Sequence, residues 1–305
     1  MPVRVAFIGF GEVATAFAAA LAQRGVQVRA YDVLLERPEG RERLEARAHG
    51  AAVQFSVLSQ ALVDARFVFS TVTTTVAREA ARLCAAHLVP GQTYVDFNAT
   101  EPSVKGEIAR IIAPSGADFV EGAVLGAVGM TGARTEILLG GPHAERAARE
   151  LADELGLNVR FYSKDIGRAS TFKMLRSVFS KGLEALLLEF LVAGERAGIR
   201  EDLWREVTGL FDANRFEKVA ANWVCSHAVA HERRHHEMVD VAGVLRRLGV
   251  DPVMTGATEA VFERSVELGM KNAFATRPER MEDVIRFLEE RMQLDAKRNS
   301  IEGDA

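Results

Sequence analysis

A glycine-rich turn near the start of the chain limits the folds open to it more than any other segment. The turn, Gly9-Phe10-Gly11-Glu12-Val13-Ala14, lies between an apolar β-branched run and an alanine-rich stretch. That context indicates a buried strand, then a turn that lets a pyrophosphate approach the backbone, then a closely packed helix. We predict a dinucleotide-binding turn in which the cofactor contacts are Gly9, Phe10, Gly11, Glu12 and Val13. The alternative is a glycine turn in an α/β protein that binds no dinucleotide.

Short apolar runs alternate with helical patterns through the first half of the chain. Strands are predicted at Val3–Ile8, Val26–Tyr31, Ala65–Val72, Gln92–Phe97, Asp118–Val124, Glu136–Leu139 and Val159–Tyr162. Helices are predicted at about Glu12–Arg24, Arg41–His49, Thr75–His87, Ser103–Ile112 and Ala144–Leu155. Strands that alternate with helices are typical of a parallel sheet covered on both faces, so we predict a doubly wound α/β domain of the Rossmann type.

The second half changes character near Asp165, beyond which strand patterns disappear. Ile166 to Gly198 is predicted as one long interdomain helix, and its segment Leu183 to Ala193 is apolar almost all round. Helical patterns continue to about Asn299. We predict a Rossmann domain over residues 1–164 and an all-α domain over residues 165–305.

Composition argues against several kinds of partner. The net charge of −4 leaves no sign of the basic stripe that nucleic-acid-binding proteins carry. Cys84 and Cys225 lie far apart, which predicts neither a disulfide framework nor a zinc site, and no metal is expected. We expect a cytoplasmic protein that does not bind membranes, because a strand pattern begins at the N-terminus and no long uninterrupted apolar run occurs.

An acidic residue, Asp32, ends the second predicted strand. A carboxylate there accepts hydrogen bonds from ribose hydroxyls and repels a 2′-phosphate, so NAD is favoured over NADP. Arg37 and Arg41 lie nearby and are candidates for contact with a phosphate. The alternative for Asp32 is a solvated strand end.

A run of hydroxyl residues follows the strand predicted at Ala65–Val72. Ligands of open α/β sheets bind outside the carboxyl ends of the strands, which predicts that Thr71, Val72 and Thr73 contact the ribose of the cofactor. The alternative is that the hydroxyl groups cap the next helix.

Taken together, these motifs resemble those of the β-hydroxyacid dehydrogenases, relatives of 6-phosphogluconate dehydrogenase and 3-hydroxyisobutyrate dehydrogenase. The resemblance covers nearly the whole chain and is greatest to a bacterial branch with a short phosphogluconate dehydrogenase-like C-terminal domain. The family's Asp-x-Ser-Thr segment before a proline corresponds to Asp96-Phe97-Asn98-Ala99, which implies that Asn98 lies near the nicotinamide.

The family's substrate loop, Asp-x-Pro-Val-Ser-Gly-Gly, corresponds here to Glu121 to Ala127. The resemblance implies substrate contacts from Val124, Leu125 and Gly126. Leu125 stands where the family has a serine that binds a substrate carboxylate, so only backbone N–H groups remain as donors at that position.

The same resemblance implies catalytic residues on the long helix. The family has a lysine early in this helix and an asparagine four residues later; here these positions are Lys173 and Ser177. Lys181 falls on the same helix face, and His236 stands where the family has a second lysine, so both are implied at the substrate. A lysine that is partly buried, or close to a second cation such as Lys181, has a lowered pKa and works as acid or base near neutral pH. The alternative for Lys173 is a solvated helix lysine.

Three histidines, His227, His231 and His235, are spaced by four residues. Histidines at this spacing bind metals in some helices, but no carboxylate or thiolate completes a recognisable ligand set here. A polar helix face is the favoured interpretation.

These features predict an NAD(P)-dependent oxidoreductase that transfers a hydride between the cofactor and a small hydroxy acid, or its keto or aldehyde partner. Lys173 is the predicted general acid and base, and Ser177 assists it. Two alternatives stay open, an imine or ketone reductase on the same scaffold and a dinucleotide-binding sensor without turnover. We expect a homodimer or a larger homo-oligomer, because the apolar segment Leu183–Val192 needs covering.

Overall fold

The computed structural model describes residues 3–302. Its strands are β1 Arg4–Ile8, β2 Gln27–Tyr31, β3 Val53–Phe55, β4 Phe67–Ser70, β5 Thr93–Asp96, β6 Asp118–Val124, β7 Ile137–Gly140 and β8 Val159–Ser163. The helices up to the end of the sheet are α1 Glu12–Gln23, α2 Gly40–Arg47, α3 Leu58–Leu62, α4 Ala77–Ala85, α5 Pro102–Ile112, α6 Val128–Thr131 and α7 Ala144–Asp153. The later helices are α8 Arg168–Arg196, α9 Arg200–Ala213, α10 Phe216–Arg247, α11 Val253–Glu267, α12 Met270–Ala273 and α13 Met281–Glu302.

All eight strands form one sheet in the order β3-β2-β1-β4-β5-β6-β7-β8. The chain adds β2 and β3 on one side of β1 and then crosses back to add β4 and the later strands on the other side. The order of strand addition therefore reverses between β1 and β4. In open α/β sheets this switch point leaves a crevice at the carboxyl ends of the strands, where ligands bind. The predicted doubly wound Rossmann fold is confirmed.

Two strands, β7 and β8, run opposite to the other six and so depart from the predicted parallel arrangement. β7 pairs antiparallel with β6, with Val124 opposite Ile137. The connection between these strands holds only α6 and a 3-10 turn and stays at the end of the sheet where β6 finishes, so β7 runs back alongside it. A parallel pairing needs a crossover that returns the chain to the other end of the sheet.

The sequence pattern missed three short elements of the first half, the strand β3 and the helices α3 and α6. β3 has only three residues and pairs with β2 through Val28 and Val53. Short elements of this kind carry too few apolar repeats to show a period.

The sheet is covered on both faces, because alternate residues of each strand point to opposite sides. Val5 and Phe7 of β1 pack with buried residues of α1, α2 and α7. Ala6 and Ile8 pack with buried residues of α3, α4 and α5. Fully buried strands of this type position the loops at their carboxyl ends on a rigid base.

The chain divides into two compact units, one up to Val178 and one from Phe179 onward. The sequence placed the boundary at residues 164 and 165, close to where α8 begins. The first unit extends further because the first turns of α8 bond to β6: Glu121 accepts hydrogen bonds from the Ala169 N–H at 2.8 Å and the Ser170 hydroxyl at 3.0 Å.

The second unit is all-α, as predicted. Its core includes Ala228 of α10, Met270 of α12 and Val284 of α13, each almost fully buried. Across residues 3–302, every helix is either too short or too polar to cross a bilayer.

Candidate active site

Gly9 occupies a backbone conformation that other residues rarely adopt, with φ at +84°. A Cβ at this position would lie 2.8 Å from both the Thr71 carbonyl oxygen and Val72 Cγ1. The Gly9 N–H donates a 2.8 Å hydrogen bond to the Tyr31 carbonyl. The glycine therefore holds the carboxyl ends of β1, β2 and β4 close together.

Gly11 has a different role, because it is the N-cap residue of α1 and makes no side-chain cap hydrogen bond. A Cβ on Gly11 would meet no atom of the residues that the structure describes within 4 Å. The first N–H groups of a helix have no partner within the helix, and together with its dipole they favour an anion. Open space beside uncapped N–H groups fits a pyrophosphate.

Asp32 lines a cavity of about 320 Å³, which we call the Asp32 cavity. Its carboxylate accepts hydrogen bonds from the backbone N–H groups of Phe10 at 2.8 Å and Leu34 at 2.9 Å. The other lining residues are Ile8, Gly9, Gly11, Tyr31, Val33, Arg47, Leu58, Thr71, Val72, Thr73, Val76, Ala80 and Leu83, together with Phe10. The mainly apolar wall beside a carboxylate suits a ribose that carries a flat ring.

The side chain of Phe10 belongs to the core of the domain. It is fully buried, and its ring lies 5.0 Å from the ring of Phe55 and 6.3 Å from that of Phe7. Since the ring belongs to the core, only the backbone of Phe10 can contribute to a cofactor site.

One cation close to this turn is Arg47, which the sequence interpretation did not single out. Arg47 lines the Asp32 cavity, and its Nη1 lies 3.4 Å from the Phe10 carbonyl oxygen. Arg41, by contrast, bonds to the Phe55 carbonyl at 3.3 Å. Arg47 ends α2, so its proximity depends on tertiary packing rather than on distance along the sequence.

Thr71, Val72 and Thr73 line both the Asp32 cavity and a second cavity of about 560 Å³, the Val124 cavity. The Thr71 hydroxyl donates a 2.7 Å hydrogen bond to the Gly9 carbonyl. Within residues 3–302, no side chain caps the 3-10 turn that follows Thr73 or the helix α4. The arrangement favours a ligand-facing segment over the capping alternative.

The Val124 cavity brings together most of the other residues predicted for the cofactor and substrate. Its lining includes Glu12, Val13, Phe97, Asn98, Ala99, Val124, Gly126, Ala127, Val128 and Lys173. Leu125 is not among them: its side chain packs against Ala123, Leu138 and Ala169, and its N–H donates to the Glu136 carbonyl at 2.8 Å. Both the leucine side chain and its N–H are therefore used within the protein.

Lys173 also lines a third cavity of about 270 Å³, the Ser177 cavity, and so stands at the wall that the two cavities share. The Ser177 cavity is lined by Asn98, Ala99, Thr100, Gly122, Ala123, Ser170, Lys173, Met174 and Ser177. Lys173 is the one charged side chain among the described residues that line it. Burial lowers the pKa of Lys173, and the positive charge of Lys105 lowers it further.

Of the remaining residues predicted for catalysis and the substrate, Ser177 lies in the first unit, and Lys181 and His236 lie in the second. The Ser177 hydroxyl donates to the Lys173 carbonyl at 3.0 Å, a bond within the helix. Lys181, the second cation expected from the sequence, belongs to the second unit, where it is exposed and pairs with Glu184. His236 is an exposed residue of α10 in the same unit. The cation that acts on Lys173 is instead Lys105 of α5.

Lys105 is the main residue that the sequence interpretation missed. It is fully buried, and its Nζ donates to the carbonyl oxygens of Asn98 at 2.6 Å and Asp96 at 3.0 Å. A signal was present, since Lys105 lies three and seven residues before Ile108 and Ile112, on the apolar stripe of α5. A lysine at such a position needs buried anionic or carbonyl partners.

Two histidines of α10, His227 and His231, form hydrogen bonds within the second unit. His227 Nε2 lies 2.9 Å from the Ser265 hydroxyl, and His231 Nδ1 lies 3.1 Å from the His227 carbonyl. Burial lowers the pKa of His227 to about 4, helped by His231 and Arg234. These contacts favour neither a metal site nor an exposed polar face.

Comparison with known proteins gives two family matches. A family model for the NAD binding domain of 6-phosphogluconate dehydrogenase matches residues 4–160. A second model, for a domain of unknown function (DUF1932), matches residues 195–265.

Several solved structures are similar over most of the chain. A conserved hypothetical protein from Sinorhizobium meliloti 1021 is 30% identical, with a TM-score of 0.59 over 95% of this chain and 97% of that chain. A conserved protein of unknown function, described as structurally similar to 3-hydroxyacid dehydrogenases, is 33% identical, with a TM-score of 0.58 over 89% and 98%. An imine reductase from Streptomyces aurantiacus is 20% identical and shares the fold, with a TM-score of 0.73 over 93% and 99%.

Proposed function

Since the chain belongs to the family that carries the NAD binding domain of 6-phosphogluconate dehydrogenase, we propose that it is an NAD(P)-dependent oxidoreductase in which Lys173 is the general acid and base. Its proposed substrate is a small hydroxy acid, or the corresponding keto acid or aldehyde. The observation that carries the proposal is the position of Lys173, whose side chain lines both the Val124 cavity and the Ser177 cavity. An amine at that wall reaches a molecule in either cavity.

The residues around the glycine turn fit a nicotinamide dinucleotide. The uncapped first turn of α1 beside Gly11 takes the pyrophosphate, and Asp32 takes the ribose hydroxyls. When bound, the cofactor supplies the hydride to a carbonyl carbon or removes it from an alcohol carbon. Asp32 favours NAD, because its carboxylate repels a 2′-phosphate, while Arg47 reduces that repulsion.

Lys173 moves the proton that the chemistry requires. As a neutral amine it accepts the proton of a substrate hydroxyl, and as an ammonium it donates a proton to the oxygen of a carbonyl. A free lysine is almost wholly protonated at neutral pH and is a poor base. Because burial and Lys105 lower the pKa of Lys173, both forms are brought closer to equal population.

A second candidate reaction, reduction of an imine or ketone, is favoured by the lining of the Ser177 cavity. Ala99, Ala123 and Met174 supply apolar surface, and the hydroxyl that the family places at position 125 is replaced by a leucine. An apolar wall suits a substrate that lacks a carboxylate. In this reaction Lys173 donates its proton to the substrate nitrogen or oxygen.

A turnover assay separates these candidates. Purified protein is mixed with NADH or NADPH and with a panel of keto acids, aldehydes, ketones and cyclic imines, and the absorbance of the reduced nicotinamide is followed. We expect turnover with keto acids or aldehydes; turnover with imines or ketones alone favours the second reaction. Cofactor binding by calorimetry without turnover on any member of the panel would favour the third possibility, a non-catalytic sensor.

The proposal extends to self-association. In the second unit Leu186, Leu188 and Val192 of α8 are 45%, 63% and 49% exposed. Exposed apolar side chains concentrated on one long helix are typical of an interaction surface. We expect a second copy of the chain to cover them.

A further inference from the structure

Three charged side chains are completely buried together behind the wall of the Lys173 cavities. Asp96 and Glu121 are register partners on the parallel strands β5 and β6, so their side chains project from the same face of the sheet. Lys105 of α5 packs on that face, with its Nζ 3.3 Å from Asp96 Oδ2. Each of the three residues is 0% exposed.

This triad is bonded to both walls that flank Lys173. On one side, Lys105 Nζ donates to the carbonyl oxygens of Asp96 and Asn98, which fixes the segment that lines the Val124 and Ser177 cavities. On the other side, Glu121 accepts hydrogen bonds from the backbone N–H of Ala169 and the hydroxyl of Ser170. Ser170 lies one helical turn before Lys173 on α8, so this carboxylate anchors the turn that carries the lysine.

The triad also places charge near the Lys173 amine. Burial lowers the pKa of Lys105, while the carboxylates of Asp96 and Glu121 raise it and so oppose that effect. The same Lys105 charge acts on Lys173, whose neighbour on its own helix, Arg176, is exposed. The two carboxylates thus offset part of the effect of burial on the Lys105 pKa.

We propose that Lys105, ion-paired with Asp96 and buried together with Glu121, is a positioning residue for Lys173 that fixes the walls of its cavities and sets the electrostatic field at its amine. The inference rests on the proposed function in one respect: an adjusted Lys173 amine matters for the reaction only if Lys173 is the general acid and base. A triad that holds the walls in place but lies too far from the Lys173 amine to act on it would leave the protonation of Lys173 unchanged when one of its charges is removed.

The test measures the protonation of Lys173 directly, without turnover. The full-length protein is acylated with trace acetic anhydride over a range of pH, and the labelling of Lys173 is read by mass spectrometry against the exposed Lys218. Only a neutral amine is acylated, so the labelling curve gives the pKa of Lys173.

Two variants remove opposite charges. Lys105→Met removes the buried cation, so the midpoint of the Lys173 curve should rise by about one pH unit. Glu121→Gln removes a negative charge and keeps the shape and a carbonyl acceptor for the Ala169 N–H, so the midpoint should fall by about one pH unit. Arg110→Met removes an exposed cation from the same helix α5 and should leave the midpoint unchanged.

The proposal stands if the midpoint rises in the first variant and falls in the second; any other pair of results overturns it. Circular dichroism checks that each variant folds. If Lys105→Met does not fold, the direction in Glu121→Gln decides: a fall supports the proposal, and a rise or no change refutes it. Because the labelling needs no substrate, a protein inactive on every substrate tested would contradict the proposed function and leave this result intact.

Discussion

The carboxylate of Asp32 accepts a 2.8 Å hydrogen bond from the backbone N–H of Phe10. The residue predicted to recognise the ribose is therefore also a support of the glycine turn on which the pyrophosphate would lie. One carboxylate links two parts of the proposed cofactor site, and its removal affects both.

For this reason Asp32→Ala should do more than change the cofactor preference. We expect a smaller ratio of NAD affinity to NADP affinity, since the carboxylate no longer repels a 2′-phosphate. Loss of the bonds from Phe10 and Leu34 should also lower the free energy of unfolding, by about 1 kcal/mol for each bond. Calorimetry with both cofactors and denaturant unfolding measure the two effects. An unchanged affinity ratio would remove Asp32 from the ribose site.

Substitutions of the two glycines in the turn should separate binding from folding. Gly11→Val should fold normally, because a Cβ there meets none of the described atoms within 4 Å. It should nevertheless weaken NAD binding at least about tenfold, because the larger side chain fills the pyrophosphate space. Gly9→Ala should instead lower stability, by about 2 kcal/mol or more, since it combines a positive φ with close contacts to Thr71 and Val72. Equal NAD affinity for Gly11→Val and the wild type, measured by calorimetry, would contradict the assignment.

Lys173→Ala tests the proposed mechanism. Turnover should fall by about 10²–10⁴-fold, the usual contribution of general acid–base catalysis, with little change in NAD affinity. Lys173→Arg should not restore turnover, because a guanidinium stays protonated. Ser177→Ala is the matched control and should have a smaller effect, because its hydroxyl is bonded to the helix backbone. Near-normal turnover in Lys173→Ala would contradict the proposed role of Lys173 as general acid and base.

His227 should make the second unit sensitive to acid. Its pKa is lowered from 6.5 to about 4 in the folded protein, so the unfolded chain binds the proton more readily. The stabilisation that comes from keeping His227 neutral is therefore complete above pH 6.5 and is lost as the pH falls towards 4. The free energy of unfolding should decrease by on the order of 2 kcal/mol over this range. Unfolding is followed by the fluorescence of Trp204 and Trp223, which both lie in this unit.

In His227→Gln this loss of stability on acidification should be smaller than in the wild type. His236→Gln, which changes an exposed histidine of the same helix, should keep the wild-type dependence. Parallel curves for His227→Gln and the wild type would show that His227 is not the group responsible.

Leu188→Glu tests self-association. Leu188 is 63% exposed on α8, and a carboxylate there would be costly to bury between two copies. Light scattering at micromolar concentration should show an oligomer for the wild type and a smaller species for the variant. Val89→Glu, at a residue of the first unit that is 54% exposed, should leave the mass unchanged. A monomeric wild-type protein would refute the expectation.

Much of the fold was predictable because local signals agree with the final packing. The strand Arg4–Ile8, the turn at Gly9 and the helix Glu12–Gln23 each follow from patterns within a few residues. The direction of β7 was not predictable in this way, since it depends on where the connection from β6 lies in space rather than on the sequence of β7.

The candidate site likewise combines residues that the sequence predicted with residues that only the packing reveals. Lys173 was predicted from the family resemblance, which places a lysine early in the long helix, and the structure adds the two cavities that it lines. Lys105 was missed because its partners, Asp96 and Glu121, become neighbours only when β5 and β6 pair. A lysine in a helical pattern is ordinarily an exposed residue, and only the sheet register reveals this one as buried.

Lys173 borders two cavities at once, so the binding of a ligand in either cavity changes the proton affinity of its amine, and protonation of the amine changes the affinity for the ligand. An uncharged ligand that fills either cavity displaces water from the amine and favours its neutral form. Such a ligand must then release a proton as it binds, and its affinity must increase with pH until the amine is already neutral. The heat of binding would accordingly vary with the ionisation enthalpy of the buffer, so the protein exchanges protons with solvent even before any bond is made or broken.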